Sequence, residues 1–92
     1  MKEVAVQTRA KAGTLESNDI YIMVEPREDG GITLDLDSPV MRQFGRQIEK
    51  VIRQTLEDLG IKNIYLVAKD RGALDYTIRA RVETAVRRAC GG

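Results

Sequence analysis

Leu74-Asp75-Tyr76-Thr77-Ile78-Arg79-Ala80-Arg81-Val82 carries two periodicities at once, and the fold turns on which one prevails. Leu74, Tyr76, Ile78, Ala80 and Val82 alternate with Asp75, Thr77, Arg79 and Arg81, the two-residue period of a half-buried strand. Leu74, Ile78, Val82, Ala85, Val86 and Ala89 also form a stripe at helical spacing. Just upstream, Asp70-Arg71-Gly72 has the composition of a hairpin loop with glycine in the left-handed position. That loop and the β-formers Tyr76, Thr77 and Ile78 favour a strand over 74–81 followed by a helix over 82–89, with a helical 74–81 as the alternative.

Working outward, Ile64-Tyr65-Leu66-Val67-Ala68 is a short apolar run and reads as a strand. Before it lies the clearest helix. Met41, Phe44, Ile48, Val51, Ile52, Leu56 and Leu59 make one apolar stripe, and Gly60 follows as a stop. Ser38 is expected as N-cap and Pro39 as first helical residue, where a missing N–H costs nothing. Ile20–Val24 and Ile32–Leu36 read as two further strands, joined as a hairpin through the turn Glu28-Asp29-Gly30-Gly31. Residues 1–16 read as a flexible lead, with 1–12 mobile or a poorly fixed edge strand. The expected fold is α+β in the order ββαββα, with an antiparallel or mixed sheet and the helices on one face. Residues 17–92 form its single small domain.

Ninety-two residues allow one modest core. Lys and Arg total 15 against 14 Asp and Glu, so net charge favours neither nucleic acid nor membrane. Phe44, Tyr21, Tyr65 and Tyr76 are the only aromatics, too few for a base-stacking platform. No apolar run is long enough to span a bilayer. Cys90, the lone cysteine, has no partner for an internal disulfide and reads as an unremarkable thiol near the tail, in keeping with a reducing cytoplasm.

Histidine is absent. That removes His-based metal sites and every Ser/His or Cys/His nucleophile. Asp35 and Asp37 share a strand face and read as solvated rather than as an acid/base pair. An unaided enzyme is not expected. Two serines are candidates for modification by another enzyme. Ser17 lies in the turn-forming stretch Ala12-Gly13-Thr14-Leu15-Glu16-Ser17-Asn18-Asp19, outside any periodic pattern. Ser38, the helix cap, is next in line. Arg42, Arg46, Lys50 and Arg53 recur opposite the apolar stripe of the long helix. They read as a solvated face or as a docking surface for an acidic partner. Arg79, Arg81, Arg87 and Arg88 form a second cluster that reads as ordinary surface.

Three blocks together resemble the acyl carrier protein (gamma subunit) of citrate lyase: AGTLESND at 12–19, RQFGRQI at 42–48 and KDRGALDYTIRARVETAVRRA at 69–89. The resemblance runs through nearly the whole chain from about residue 5. It implies a non-catalytic cytoplasmic subunit. It further implies that Ser17 carries 2′-(5″-phosphoribosyl)-3′-dephospho-coenzyme A, attached by a dedicated transferase. The arm's thiol would carry acetyl and citryl groups between the alpha subunit, which exchanges acetyl for citrate, and the beta subunit, which releases oxaloacetate. The related carrier of malonate decarboxylase, with the same prosthetic group, is an alternative. Outside this class the alternatives are a small RNA-binding α+β module and an adaptor without a prosthetic group.

Overall fold

In the computed structural model, residues 5–91 are described. The elements are β1 (Ala10–Ala12), β2 (Ile20–Pro26), β3 (Ile32–Asp37), α1 (Met41–Asp58), β4 (Ile64–Asp70) and α2 (Asp75–Ala89). The strands form one four-stranded sheet in the order β1-β2-β4-β3. β1 is antiparallel to β2, β2 is antiparallel to β4, and β3 runs parallel to β4. The α+β class, the mixed sheet and the helical layer on one face are as the sequence led us to expect.

Alternation decides which sheet face is covered. Ile20, Ile22 and Val24 of β2, with Ile64, Leu66 and Ala68 of β4, point one way and are buried. Ile48, Ile52 and Leu56 of α1 and Ile78, Val82, Ala85, Val86 and Ala89 of α2 complete the core. α2 lies over β1 and β2, and α1 packs beside α2. α1 ends in a Schellman arrangement: the Gly60 N–H donates to the Glu57 carbonyl and the Ile61 N–H to the Leu56 carbonyl, with Gly60 at φ 76°.

Two strand pairings differ from expectation. Residues 74–81 are not a strand. The helix runs unbroken from Asp75 to Ala89, because the positions that reach the core recur at helical spacing, while the alternating members Leu74 and Tyr76 are exposed. The Asp70 carboxylate accepts the Ala73 N–H and turns the chain straight into α2, so Asp70-Arg71-Gly72 is a strand-to-helix turn. Asp75 in the first turn and Arg87 and Arg88 in the last complement the helix dipole.

Nor do β2 and β3 pair as a hairpin, because β4 lies between them. The connection wraps the start of β4: the Gly31 carbonyl accepts the Ile64 N–H, and its N–H donates to Asn63 Oδ1. β4, buried at Ile64, Leu66, Ala68 and Asp70, takes a central place with a hydrogen-bonded neighbour on each side.

The fourth strand is β1, inside the segment read as a flexible lead over 1–16. Val6 is buried, the Gln7 and Thr8 N–H groups donate to the Ala89 carbonyl, and Arg88 reaches the Lys11 carbonyl. Residues 1–4 of that lead lie outside the described residues.

The stripe on α1 is unequal in burial. Ile52 is fully buried, whereas Phe44 is 53% exposed. Urea unfolding should therefore register a loss of about 2–4 kcal/mol for Ile52→Ala or Ile78→Ala. Phe44→Ala should cost less than about 1 kcal/mol.

Candidate functional site

The true hairpin of the fold joins β1 to β2, and Ser17 lies in its loop. Gly13 starts the loop at φ 85°, and a Cβ there would fall 1.8 Å from the Ile20 carbonyl oxygen, so no side chain fits. Asn18 closes it at φ 67°, a left-handed conformation that asparagine tolerates. Beyond β2 the strand pairing continues through the loop's edge: the Asn18 N–H donates to the Arg71 carbonyl, and the Arg71 N–H donates to the Asp19 carbonyl.

Asp19 is the centre of this turn. Its Oδ2 accepts the Thr14 N–H at 3.1 Å and the Thr14 hydroxyl at 2.8 Å, while Oδ1 accepts the Ile20 N–H at 2.7 Å. The Thr14 Oγ1 accepts the Glu16 N–H. Arg81 reaches across from α2, with Nε 2.9 Å from Oδ1 and a terminal nitrogen 3.4 Å from Oδ2. The Arg81 guanidinium, helped by Thr14 and the Ile20 N–H against the opposing effect of burial, lowers the Asp19 carboxyl to about 2. The turn-forming stretch is thus laced by hydrogen bonds, including the part of it that falls in the lead read as flexible over 1–16. Ser17 is exposed at its tip, and among the described residues its hydroxyl has no hydrogen-bond partner.

Ser38 is placed very differently. It is buried, and its hydroxyl donates to Asp70 Oδ2 at 2.7 Å. Its Oγ also accepts the Val40 N–H, which caps a turn ahead of the helix, so α1 begins at Met41 rather than at Pro39. Asp70 is 1% exposed, and its other oxygen holds the Ala73 N–H. The pair pins the start of α1 to the end of β4.

Arg42, Arg46, Lys50 and Arg53 are all exposed on α1. Arg53 is paired with Glu49 at 2.8 Å, while no ion pair to Arg42, Arg46 or Lys50 is found among the described residues. Arg79 bridges to Asp58 and Glu83, and Arg88 holds the Lys11 carbonyl, so this second cluster ties elements together. Arg81 is the functional neighbour that sequence reading passed over. It is 62 positions from Asp19, and nothing local in either stretch marks the pairing. Asp35 and Asp37 are exposed, as expected. Burial pushes the Cys90 thiol up, away from reactivity. Among the described residues no group of three or more His, Cys, Asp or Glu converges to hold a metal ion, and no helix is long and apolar enough to cross a membrane.

The Ser17 hydroxyl is thus exposed at the braced hairpin tip of a small α+β body. Residues 7–89 match the family described as ACP: Malonate decarboxylase delta subunit (MdcD), and the chain belongs to this acyl carrier family. A relative from Halothermothrix orenii, named citrate lyase acyl carrier protein, is 51% identical over 87 residues, covering 95% of this chain and 92% of its own. Those of the same name from Fusobacterium nucleatum and Streptococcus uberis are 48% and 52% identical over 86 residues, each covering 94% of this chain and 92% and 84% of their own. Among solved structures, a chain of a Pseudomonas malonate decarboxylase hetero-tetramer shares the fold, with a TM-score of 0.80 at 17% identity over 95% of this chain and 89% of that one.

The Asp19–Arg81 contact has a pH signature. A carboxyl lowered in the folded state contributes stability in full above its ordinary value of 3.8 and loses it as pH falls through about 2. With Arg81 40% exposed, the contribution should be on the order of 1 kcal/mol. In Arg81→Met, NMR titration should show the Asp19 carboxyl return towards 3.8, and the part of the stability that the wild type loses between about pH 4 and 2 should shrink because it is already missing at neutral pH.

Proposed function

We propose that this chain is the acyl carrier subunit of a cytoplasmic citrate lyase, with Ser17 as the attachment point of its prosthetic group. The observation that carries the reading is the exposed, unpartnered Ser17 hydroxyl on a turn fixed by Asp19. Relatives near 50% identity that bear the citrate lyase carrier name support it. The group would be 2′-(5″-phosphoribosyl)-3′-dephospho-coenzyme A, whose thiol, when bound, holds an acyl group as a reactive thioester.

The protein's own share is mechanical and electrostatic. The hairpin holds the Ser17 oxygen outward, where a transferase can reach it. Asp19 is committed to Thr14, Ile20 and Arg81, and the transferase would supply the base that activates the hydroxyl. The folded body then keeps a tethered substrate near the alpha and beta subunits at an effective concentration of order mM, with no release between them. The chain itself performs neither chemical step. α1 follows β3 and begins at the same sheet end as the Ser17 loop, so Arg42 and Arg46 lie towards the site. They suit a docking face, with Lys50 and Arg53 further along the helix. The malonate decarboxylase carrier is the second reading, favoured by the description of the matched family. Partner subunits co-purified from the native host decide between the two.

Ser17→Ala should change stability by less than about 0.5 kcal/mol. Co-produced with the transferase, it should show only the mass of the unmodified chain, while the wild type gains the group. An adduct retained in Ser17→Ala would place attachment elsewhere. A second expectation concerns docking. Arg42→Glu with Arg46→Glu should slow charging or turnover, more at low than at high ionic strength. Rates unchanged across salt would remove the docking role.

A further inference from the structure

Both helices cover one face of the sheet, and the other face carries none. Alternation sends Lys11, Tyr21, Met23, Val67 and Lys69 to that open face, opposite the buried Ile20, Ile22 and Val24. Tyr21, Met23 and Val67 are half-buried there and form a small apolar floor. A hollow of about 390 Å³ lies at its β1 side, lined by Arg9, Ala10, Lys11, Tyr21 and Met23. That volume is within the range of small-ligand sites, about 300–1,000 Å³.

Its charge is one-sided. Arg9 is paired with Glu25 at 2.6 Å. Lys69 stands across the strands from Tyr21, and Lys11 stands across from Met23, so the two lysines flank Tyr21, one directly and one diagonally. Both are exposed, and among the described residues neither side chain has an ion-pair or hydrogen-bond partner. The remaining carboxylates of this face are on β3, Asp35 across from Val67 and Asp37 across from Lys69, away from β1. The β1 pairing stops at Ala12, and the next residue is Gly13, so no β1 side chain stands directly beside the Tyr21 ring. An aromatic ring with a methionine next to it and cations on two sides fits a purine nucleotide. The base would stack on Tyr21 against Met23, while Lys11 and Lys69 meet phosphate. A single base needs one ring and not the platform that a nucleic-acid strand requires.

The hollow belongs to the hairpin that carries Ser17. Tyr21 follows Ser17 closely in the chain, no more than about 14 Å away. In the group proposed for Ser17, a phosphate and two ribose rings stand between the serine oxygen and the adenine. The nucleotide is therefore the part that falls within reach of the hollow, and the pantetheine lies beyond it. Tethering supplies the nucleotide at an effective concentration of order mM, so a weak intrinsic affinity is enough to fill the place. We propose that the open face at Lys11, Tyr21 and Lys69 binds the adenine nucleotide of the group carried on Ser17. The proposal rests on Ser17 being the attachment point. The nucleotide then becomes a fixed extension of the folded body, and the arm swings from the diphosphate rather than from the serine.

The test uses the full chain loaded by its transferase, with the adduct first mapped by peptide mass spectrometry. NMR should show the Tyr21 ring and Met23 methyl signals displaced from those of the unloaded chain, with nuclear Overhauser contacts from the adenine protons to Tyr21. Trimming the group at its diphosphate with a nucleotide pyrophosphatase removes the pantetheine and should leave those contacts in place. Adenosine monophosphate added to the unloaded chain should move the same signals with a Kd of order mM. Lys11→Glu with Lys69→Glu should weaken that binding at least about fivefold at low salt. In the loaded double variant the adenine contacts should be lost, while the urea midpoint stays nearly unchanged because both lysines are exposed. A chain loaded at Ser17 without adenine contacts at Tyr21 overturns the nucleotide site and leaves the attachment reading intact. Signals that return to their unloaded positions on trimming assign the face to pantetheine, and contacts that survive the double charge reversal remove the lysines from it; either result overturns the proposal. An adduct mapped to another residue removes the attachment reading and the nucleotide site with it.

Discussion

The Asp19 carboxylate is the constraint on which the presentation of the site depends. It gathers the two ends of the hairpin loop through Thr14 and Ile20 and anchors them to α2 through Arg81. A loop closed only by its strand ends would leave Ser17 with many orientations. Here the turn is referenced to the same helix that fills the core with Ile78, Val82 and Val86. The turn that carries the hydroxyl is therefore held in a defined place on the body of the protein. Gly13 is part of the same device, because the carbonyl of Ile20 occupies the space a side chain would need.

The strand order places that hairpin among its neighbours. With β4 between β2 and β3 and parallel to β3, the strand-to-helix connections after β3 and β4 leave from one end of the sheet. The Ile20–Asp70 pairing sets the Ser17 loop at that end too. The loop, the Ser38–Asp70 pair and the starts of both helices are thereby brought together from stretches far apart in the chain. The centrality of β4 follows from its composition, since a strand that buries every second residue gains most with a neighbour on each edge.

Much of this was legible before any coordinates. Gly60, the stripe through Ile48, Ile52 and Leu56, the apolar run of β2 and the alternation of β3 each name their element by local physics. The 74–82 stretch misled because its apolar residues fit both periods. Tyr76 reads as the inward face of a strand, yet it is 73% exposed on a helix. The charges at the two ends of that helix, Asp75 and Arg87-Arg88, were the available signal. The β1 strand was only half legible, as the edge-strand alternative to a mobile lead over 1–12, and for a different reason. Ala10-Lys11-Ala12 has little strand propensity of its own and is fixed by pairing with β2 and by contacts with the end of α2. At the site, Ser17 stood out through its turn-forming company and a family resemblance, whereas Arg81 could be found only by folding the chain.

A serine beside a free carboxylate with an ordinary or raised pKa has a latent general base. The Asp19 carboxyl, lowered to about 2, is a feeble proton acceptor whose oxygens are already committed to Thr14, Ile20 and Arg81. Rigidity of the turn and the weak basicity of Asp19 are then a single property of the fold. A substitution that frees Asp19 from Arg81 loosens the turn and returns basicity to its heart in the same step.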